Sequence, residues 1–157
     1  WSFRATLVAY ALVSFITSET AVTQSDETPT QVIKDSSHPN SKCYMWVHRS
    51  GEFYQERPVV IYEYQKDRDH QKPLEFYRDY KGILVTDGLQ QYHLVDKNAD
   101  VTNANCWAHA RRDFADAVKA MDKKDPSAGH SSVAYTALQK IGGFYTADTE
   151  LKKLSSE

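Results

Sequence analysis

Gly82-Ile83-Leu84-Val85-Thr86-Asp87-Gly88 is the stretch that decides how this chain is read. An apolar run without polar alternation reads as a strand enclosed on both faces, since a half-solvated strand alternates polar and apolar residues. The run ends on Asp87-Gly88, so it delivers a carboxylate at its C-terminal end. On its N-terminal side, Pro73 suits a first helical turn, and Leu74, Phe76, Tyr77 and Tyr80 predict a short amphipathic helix ending near Gly82.

Three further strands precede that helix. Thr28-Pro29-Thr30-Gln31-Val32-Ile33 is β-branched, Cys43-Tyr44-Met45-Trp46-Val47-His48-Arg49 is rich in aromatics, and Pro58-Val59-Val60-Ile61-Tyr62-Glu63-Tyr64 carries its proline at the permitted first position. Lys34-Asp35-Ser36-Ser37-His38-Pro39-Asn40-Ser41 and Ser50-Gly51 supply turns, which predicts an antiparallel meander.

Beyond Asp87, the sequence predicts a short helix over 89–94 and a short strand from Val101 to Cys106. Trp107, Ala110, Phe114, Val118 and Met121 then recur at helical spacing, with His109, Arg112, Asp113 and Asp116 on the other face. A polar break over 122–129 precedes a second helical stripe, Val133, Ala137, Leu138, Ile141, Phe144 and Tyr145. Gly142-Gly143 weakens that helix by about 1 kcal/mol per glycine relative to alanine. The expected architecture is α/β: a mixed sheet of three antiparallel strands followed by parallel ones, flanked by helices. The expected division is an apolar segment over 1–24, the α/β core over 25–121 and a helical extension over 122–157.

Ala5-Thr6-Leu7-Val8-Ala9-Tyr10-Ala11-Leu12-Val13-Ser14-Phe15-Ile16 follows Arg4 in the charge-then-apolar order of a signal peptide. It falls short of the ~20 apolar residues that a bilayer span requires. The expected state is a helix or strand packed on the domain; a secreted hydrolase with a leader would rest on these residues alone.

At 157 residues, 41% hydrophobic and 25% charged, the chain has the makings of a folded domain. Nineteen Lys and Arg against 21 Asp and Glu leave a net charge of −2, so no global basic field draws it to nucleic acid. Any such attraction must come from a local face such as Arg111, Arg112, Lys119, Lys123 and Lys124. Two cysteines, Cys43 and Cys106, are too few for a disulfide framework and fit a reducing, cytoplasmic setting.

Asp26, at the expected entry to the first strand, and Asp87, beyond the apolar one, would converge at one sheet edge if their strands are neighbours. Carboxylates so placed repel, and sharing a proton or a hard divalent cation such as Mg²⁺ or Mn²⁺ relieves the repulsion. With such ions the pair forms half of a two-metal site for phosphoryl transfer. Asp-Gly after a strand is equally a common turn, and Asp26 equally a cap. Cys106-Trp107-Ala108-His109 suggests zinc or a thiol–imidazole pair, but the chain offers too few cysteines for the first and no orienting partner for the second. Arg111 and Arg112, near a helix start beside His109, suit phosphate, unless the face is simply solvated with Arg112 paired to Asp116.

Ser25-Asp26-Glu27-Thr28-Pro29-Thr30-Gln31-Val32, Tyr44-Met45-Trp46-Val47-His48-Arg49, Val85-Thr86-Asp87-Gly88-Leu89-Gln90-Gln91-Tyr92 and Cys106-Trp107-Ala108-His109-Ala110-Arg111-Arg112-Asp113-Phe114 resemble, in order, blocks of the insertion sequence sixty-six family of bacterial DDE transposases. The resemblance implies a ribonuclease H-like fold and metal-dependent cleavage and joining of DNA at transposon ends. Asp26 and Asp87 match the family's two metal-binding aspartates, with Mg²⁺ or Mn²⁺ as the ion, and His109, Arg111 and Arg112 become candidate phosphate or DNA contacts. The implied partners are transposon-end and target DNA, with a homo-oligomer allowed and no membrane. The family's third ligand is a glutamate in a later Asn-Asn-x-x-Glu-Arg block; no such block is present, and Glu150 and Glu157 lack that context. The fold is therefore expected to be incomplete at the C-terminus, and a non-catalytic remnant or interaction module that keeps the fold is the alternative expectation.

Overall fold

The computed structural model describes residues 3–31, 43–51, 58–69, 71–88, 90, 92, 95 and 99–154. The elements are α1 (Phe3–Glu19), β1 (Val22–Thr30), β2 (Cys43–Ser50), β3 (Val60–Gln65), α2 (Gln71–Phe76), β4 (Gly82–Thr86), β5 (Val101–Asn105), α3 (Trp107–Asp122) and α4 (Val133–Leu154). They form two compact units, Trp1–Asn105 and Cys106–Glu157. Composition suggested boundaries after 24 and 121; the folded chain groups α1 with the sheet and α3 with α4.

In the first unit, five strands lie in the order β3-β2-β1-β4-β5. β1 pairs antiparallel with β2 and β2 with β3, whereas β4 pairs parallel with β1 and β5 parallel with β4. This is the expected α/β mixed sheet. β1 begins at Val22, well ahead of the expected start at Thr28, so Asp26 lies in the middle of the strand rather than at its entry. The reason is chemical: the inward residues of this half are Thr23 and Ser25, hydroxyls that a hydrophobic pattern cannot reveal. Both are buried, and hydrogen bonds satisfy them, Thr23 through Thr20 at 2.7 Å. Val32 and Ile33 of the expected strand, and the turn over 34–41, lie outside the described residues, as does most of 89–94.

β4 also departs from expectation, because only one of its faces is enclosed. Leu84 and Thr86 are buried, but Ile83 is 42% exposed. The enclosed face carries an aromatic core of Trp46, Tyr77, Tyr80, Leu84, Tyr92, Val95 and Val101. Trp46 meets Tyr92 edge to face at 5.9 Å, and Tyr77 meets Tyr80 likewise at 5.6 Å, geometries that the ring quadrupole favours. Gly82 starts β4 at φ +146°, and a Cβ there would stand 2.6 Å from the Ala21 carbonyl. The missing side chain lets Ile83 N–H donate to Ala21 O on one side and Gly82 N–H to Asp100 O on the other, both at 2.9 Å.

The N-terminal apolar segment is helical. Ile16 is fully buried, and the Thr20 hydroxyl donates to its carbonyl at 2.6 Å. Among the described residues no helix is long and apolar enough to cross a membrane.

In the second unit, Val118 of α3 and Ala134 and Ile141 of α4 are buried. Trp107, expected on the inward stripe, is 52% exposed and lies with its ring 5.2 Å from that of Phe144. Between the helices, Asp122 Oδ1 accepts the Gly129 N–H at 2.8 Å. α4 runs through Gly142-Gly143 and on to Leu154, past the expected weak point. The Thr146 and Thr149 hydroxyls donate one turn back, and Lys152 pairs with Asp148 at 2.9 Å, so the segment after the glycines has its own local support.

Candidate metal centre

β1 and β4 are parallel neighbours, with Thr23 opposite Leu84 and Gln24 opposite Val85. Two residues further on, that register brings Asp26 level with Asp87. Gly88, at φ +84°, turns the chain directly after Asp87, and its N–H donates to Thr86 Oγ1 at 3.3 Å. One ligand atom each from Asp26, Glu27 and Asp87 lies within 4.8 Å of the others. These are hard oxygen donors, the set that Mg²⁺, Mn²⁺ or Ca²⁺ prefers.

Glu27 is the member that the sequence reading missed. On a strand, successive side chains point to opposite faces, so a neighbour of Asp26 is expected to point away from its site. The rule holds, since the Tyr92 hydroxyl meets both Ser25 and Glu27 on one face of β1, yet the Glu27 carboxylate still comes within 4.8 Å of its neighbour's. The Glu27 side chain, closed from solvent, is gripped at Oε1 by Arg68, whose Nε donates at 2.9 Å and whose Nη2 donates to the same oxygen. The Tyr92 hydroxyl donates to Oε2 at 3.2 Å. Burial raises the Glu27 carboxyl above its ordinary 4.5 and the Asp87 charge adds to that, while the bonds from Arg68 and Tyr92 pull the other way. The adjacency of Asp26 and Glu27 is the only trace of this in the sequence.

Behind Glu27 runs a buried polar chain. Ser25 Oγ lies 3.0 Å from the Tyr92 hydroxyl and 3.1 Å from His48 Nδ1, which also takes the Tyr77 hydroxyl at 2.9 Å. His48 Nε2 faces Glu63 Oε2 at 3.5 Å, and the ring stacks on Phe76 at 3.7 Å. Burial pushes the Tyr77 and Tyr92 hydroxyls far above their ordinary 10, so both stay protonated and can donate. The Glu27 carboxylate is thereby braced through Ser25 of β1 and His48 of β2, with Tyr77 just after α2 behind them.

Of the other expected site residues, His109, Arg111 and Arg112 stand on the first turns of α3, in the second unit, with both arginines exposed. Asp116 pairs with Lys119 at 3.2 Å rather than with Arg112. Glu150 is on α4, bonded to Lys153 at 2.7 Å. Cys43 is buried and accepts the Tyr64 hydroxyl at 3.0 Å, and Cys106 precedes α3 without capping it through its side chain. Among the described residues, the group able to hold a metal contains neither cysteine nor histidine.

An all-carboxylate group just past the end of the parallel β1–β4 pairing defines a candidate divalent-cation protein of the mixed α/β class. Residues 7–157 match the Transposase IS66 family, and the chain belongs to that family. Membership implies a divalent metal requirement, which the oxygen donors of Asp26, Glu27 and Asp87 fit. The chain is also similar to the uncharacterized protein y4qI of Sinorhizobium fredii, 29% identical over 101 residues. That match takes in 58% of this chain and 19% of the relative's length. No solved structure matches it significantly.

Proposed function

We propose that this chain is the catalytic segment of a DNA transposase with a ribonuclease H-like sheet, acting by metal-dependent phosphoryl transfer on transposon ends and target DNA. The observation that carries this reading is the convergence of Asp26, Glu27 and Asp87 within 4.8 Å at neighbouring parallel strands. The strand order β3-β2-β1-β4-β5, antiparallel in its first three strands and parallel thereafter, supports the fold assignment.

In this reading Asp26 and Asp87 hold Mg²⁺ or Mn²⁺, and the more enclosed Glu27 tunes the charge beside them. Bound there, such an ion supplies Lewis acidity for a phosphate oxygen and for a hydroxyl nucleophile. The protein's own part is to fix two carboxylates in register. Arg111 and Arg112, with His109, serve as contacts to the DNA backbone from α3. Because the net charge is −2, this local basic face supplies the attraction that the whole chain lacks.

The test is calorimetric titration of Mn²⁺ into the wild-type chain and into Asp26→Asn/Asp87→Asn. A saturable site lost in the double variant is the expected result. Equal affinities in the two proteins would remove the site and leave the non-catalytic alternative.

A further inference from the structure

We infer that Arg68 is the phosphate-binding group of this site, its guanidinium aimed by Glu27 at a phosphodiester oxygen of the strand that Asp26 and Asp87 engage. The inference rests on the metal-dependent reading above and adds a residue to it.

Arg68 lies just beyond the end of β3. Its Nε and Nη2 both serve one oxygen of Glu27, and among the described residues Nη1 has no hydrogen-bond partner. The guanidinium carbon sits 5.5 Å from the centroid of the Tyr44 ring, a second restraint on its orientation. The pair has a sealed end and an open end: the Glu27 side chain is 0% exposed and that of Arg68 36%. A guanidinium held along one edge keeps its remaining donors in a fixed plane, which is the geometry that suits a phosphate oxygen.

Charge leads to the same residue. Three carboxylates would repel a phosphodiester, but with Arg68 they carry two net negative charges, which one divalent ion balances. Asp87 also acts electrostatically on Arg68, so the guanidinium belongs to the same charge cluster. Glu27 Oε1, engaged twice by Arg68, is the anchor of the arginine.

The experiment uses the full chain and two variants, Arg68→Gln and Arg68→Lys, with folding checked by circular dichroism. Binding of a fluorescent DNA oligonucleotide in Ca²⁺ is followed by anisotropy over a salt series, and Mn²⁺ affinity by calorimetry. Arg68→Gln is expected to weaken oligonucleotide binding about tenfold and to lower the salt slope by about 1, with Mn²⁺ affinity within about threefold of wild type. Arg68→Lys keeps the charge, so its salt slope stays at the wild-type value while binding weakens severalfold through loss of the planar fork. Unchanged oligonucleotide affinity in Arg68→Gln, or loss of Mn²⁺ affinity in Arg68→Lys, overturns this inference alone, the second by showing that Arg68 acts only through Glu27. Absence of Mn²⁺ binding by the wild-type chain overturns the metal reading and this inference with it.

Discussion

His48 points Nε2 at Glu63 Oε2 across 3.5 Å, yet burial holds the imidazole below its ordinary 6.5 and therefore neutral at pH 7. The neutral ring fits its surroundings. With its proton on Nε2 toward the carboxylate, Nδ1 is free to accept from the Tyr77 hydroxyl, while the Ser25 proton serves Tyr92, whose own proton goes to Glu27. Protonation would remove that acceptor inside the core.

A pH dependence of stability follows. Unfolded, His48 takes up its proton near 6.5, whereas folded it does so only at lower pH, so between those values the unfolded chain binds more protons and stability is lost as the pH falls. Glu63, held below 4.5 chiefly by the nearby His48, adds a loss in more acidic solution. Glu27 works in the opposite sense above 4.5, because there the folded state is the one that retains the proton. The urea midpoint should be lower at about pH 5.5 than at about pH 7.5, and the difference should shrink in His48→Gln. A wild-type midpoint that is equal or higher in acid would show that His48 does not govern this range.

Ser25 links the histidine to the metal-site brace, since its hydroxyl meets both His48 Nδ1 and the Tyr92 hydroxyl. Ser25→Ala leaves buried polar groups short of a partner and should cost about 1–3 kcal/mol. Tyr92→Phe removes the other end of the same link, together with a donor to Glu27. The two substitutions should be non-additive by about 0.5–3 kcal/mol in a double-mutant cycle read by urea unfolding. Additive losses would mean that the hydroxyls act independently.

Much of this architecture could be read from residue order. β2, β4, α3 and α4 announce themselves through apolar content or spacing, and Asp87 through its place after β4. The first half of β1 does not, because its inward residues are hydroxyls whose burial depends on partners far away in sequence. Glu27 and Arg68 were invisible for a related reason. Their pairing spans 41 residues, and strand alternation alone turns Glu27 away from Asp26. Hydrophobic patterns report which face is buried; they carry no record of polar groups that find one another only after the sheet has formed.

Gly82 is expected to be the least replaceable glycine of the sheet. At φ +146° an alanine is strained, and its Cβ would stand 2.6 Å from the Ala21 carbonyl that receives the Ile83 N–H. Gly82→Ala should cost about 1–3 kcal/mol by urea unfolding, and separating β4 from β1 should weaken Mn²⁺ binding as well. Gly88→Ala, where the nearest atoms are 3.3 Å away on the Asn105 side chain, should be milder in stability. A Gly82→Ala protein as stable as wild type would contradict the close approach of the two backbones.

Gly142 and Gly143 make the opposite case. Both are helical and exposed, neither has positive φ, and a Cβ at either would meet nothing within 4 Å. No close contact requires a glycine there, so what remains is its entropic cost in a helix interior, about 1 kcal/mol each relative to alanine. Gly142→Ala and Gly143→Ala should each raise the melting temperature of the transition that reports α4, and the double variant should raise it further. Because α4 belongs to the second unit, the gain should leave Mn²⁺ binding at Asp26 and Asp87 unchanged. A fall in melting temperature would mean that the helix needs the bare backbone at this point, and a change in Mn²⁺ affinity would mean that the two units are coupled.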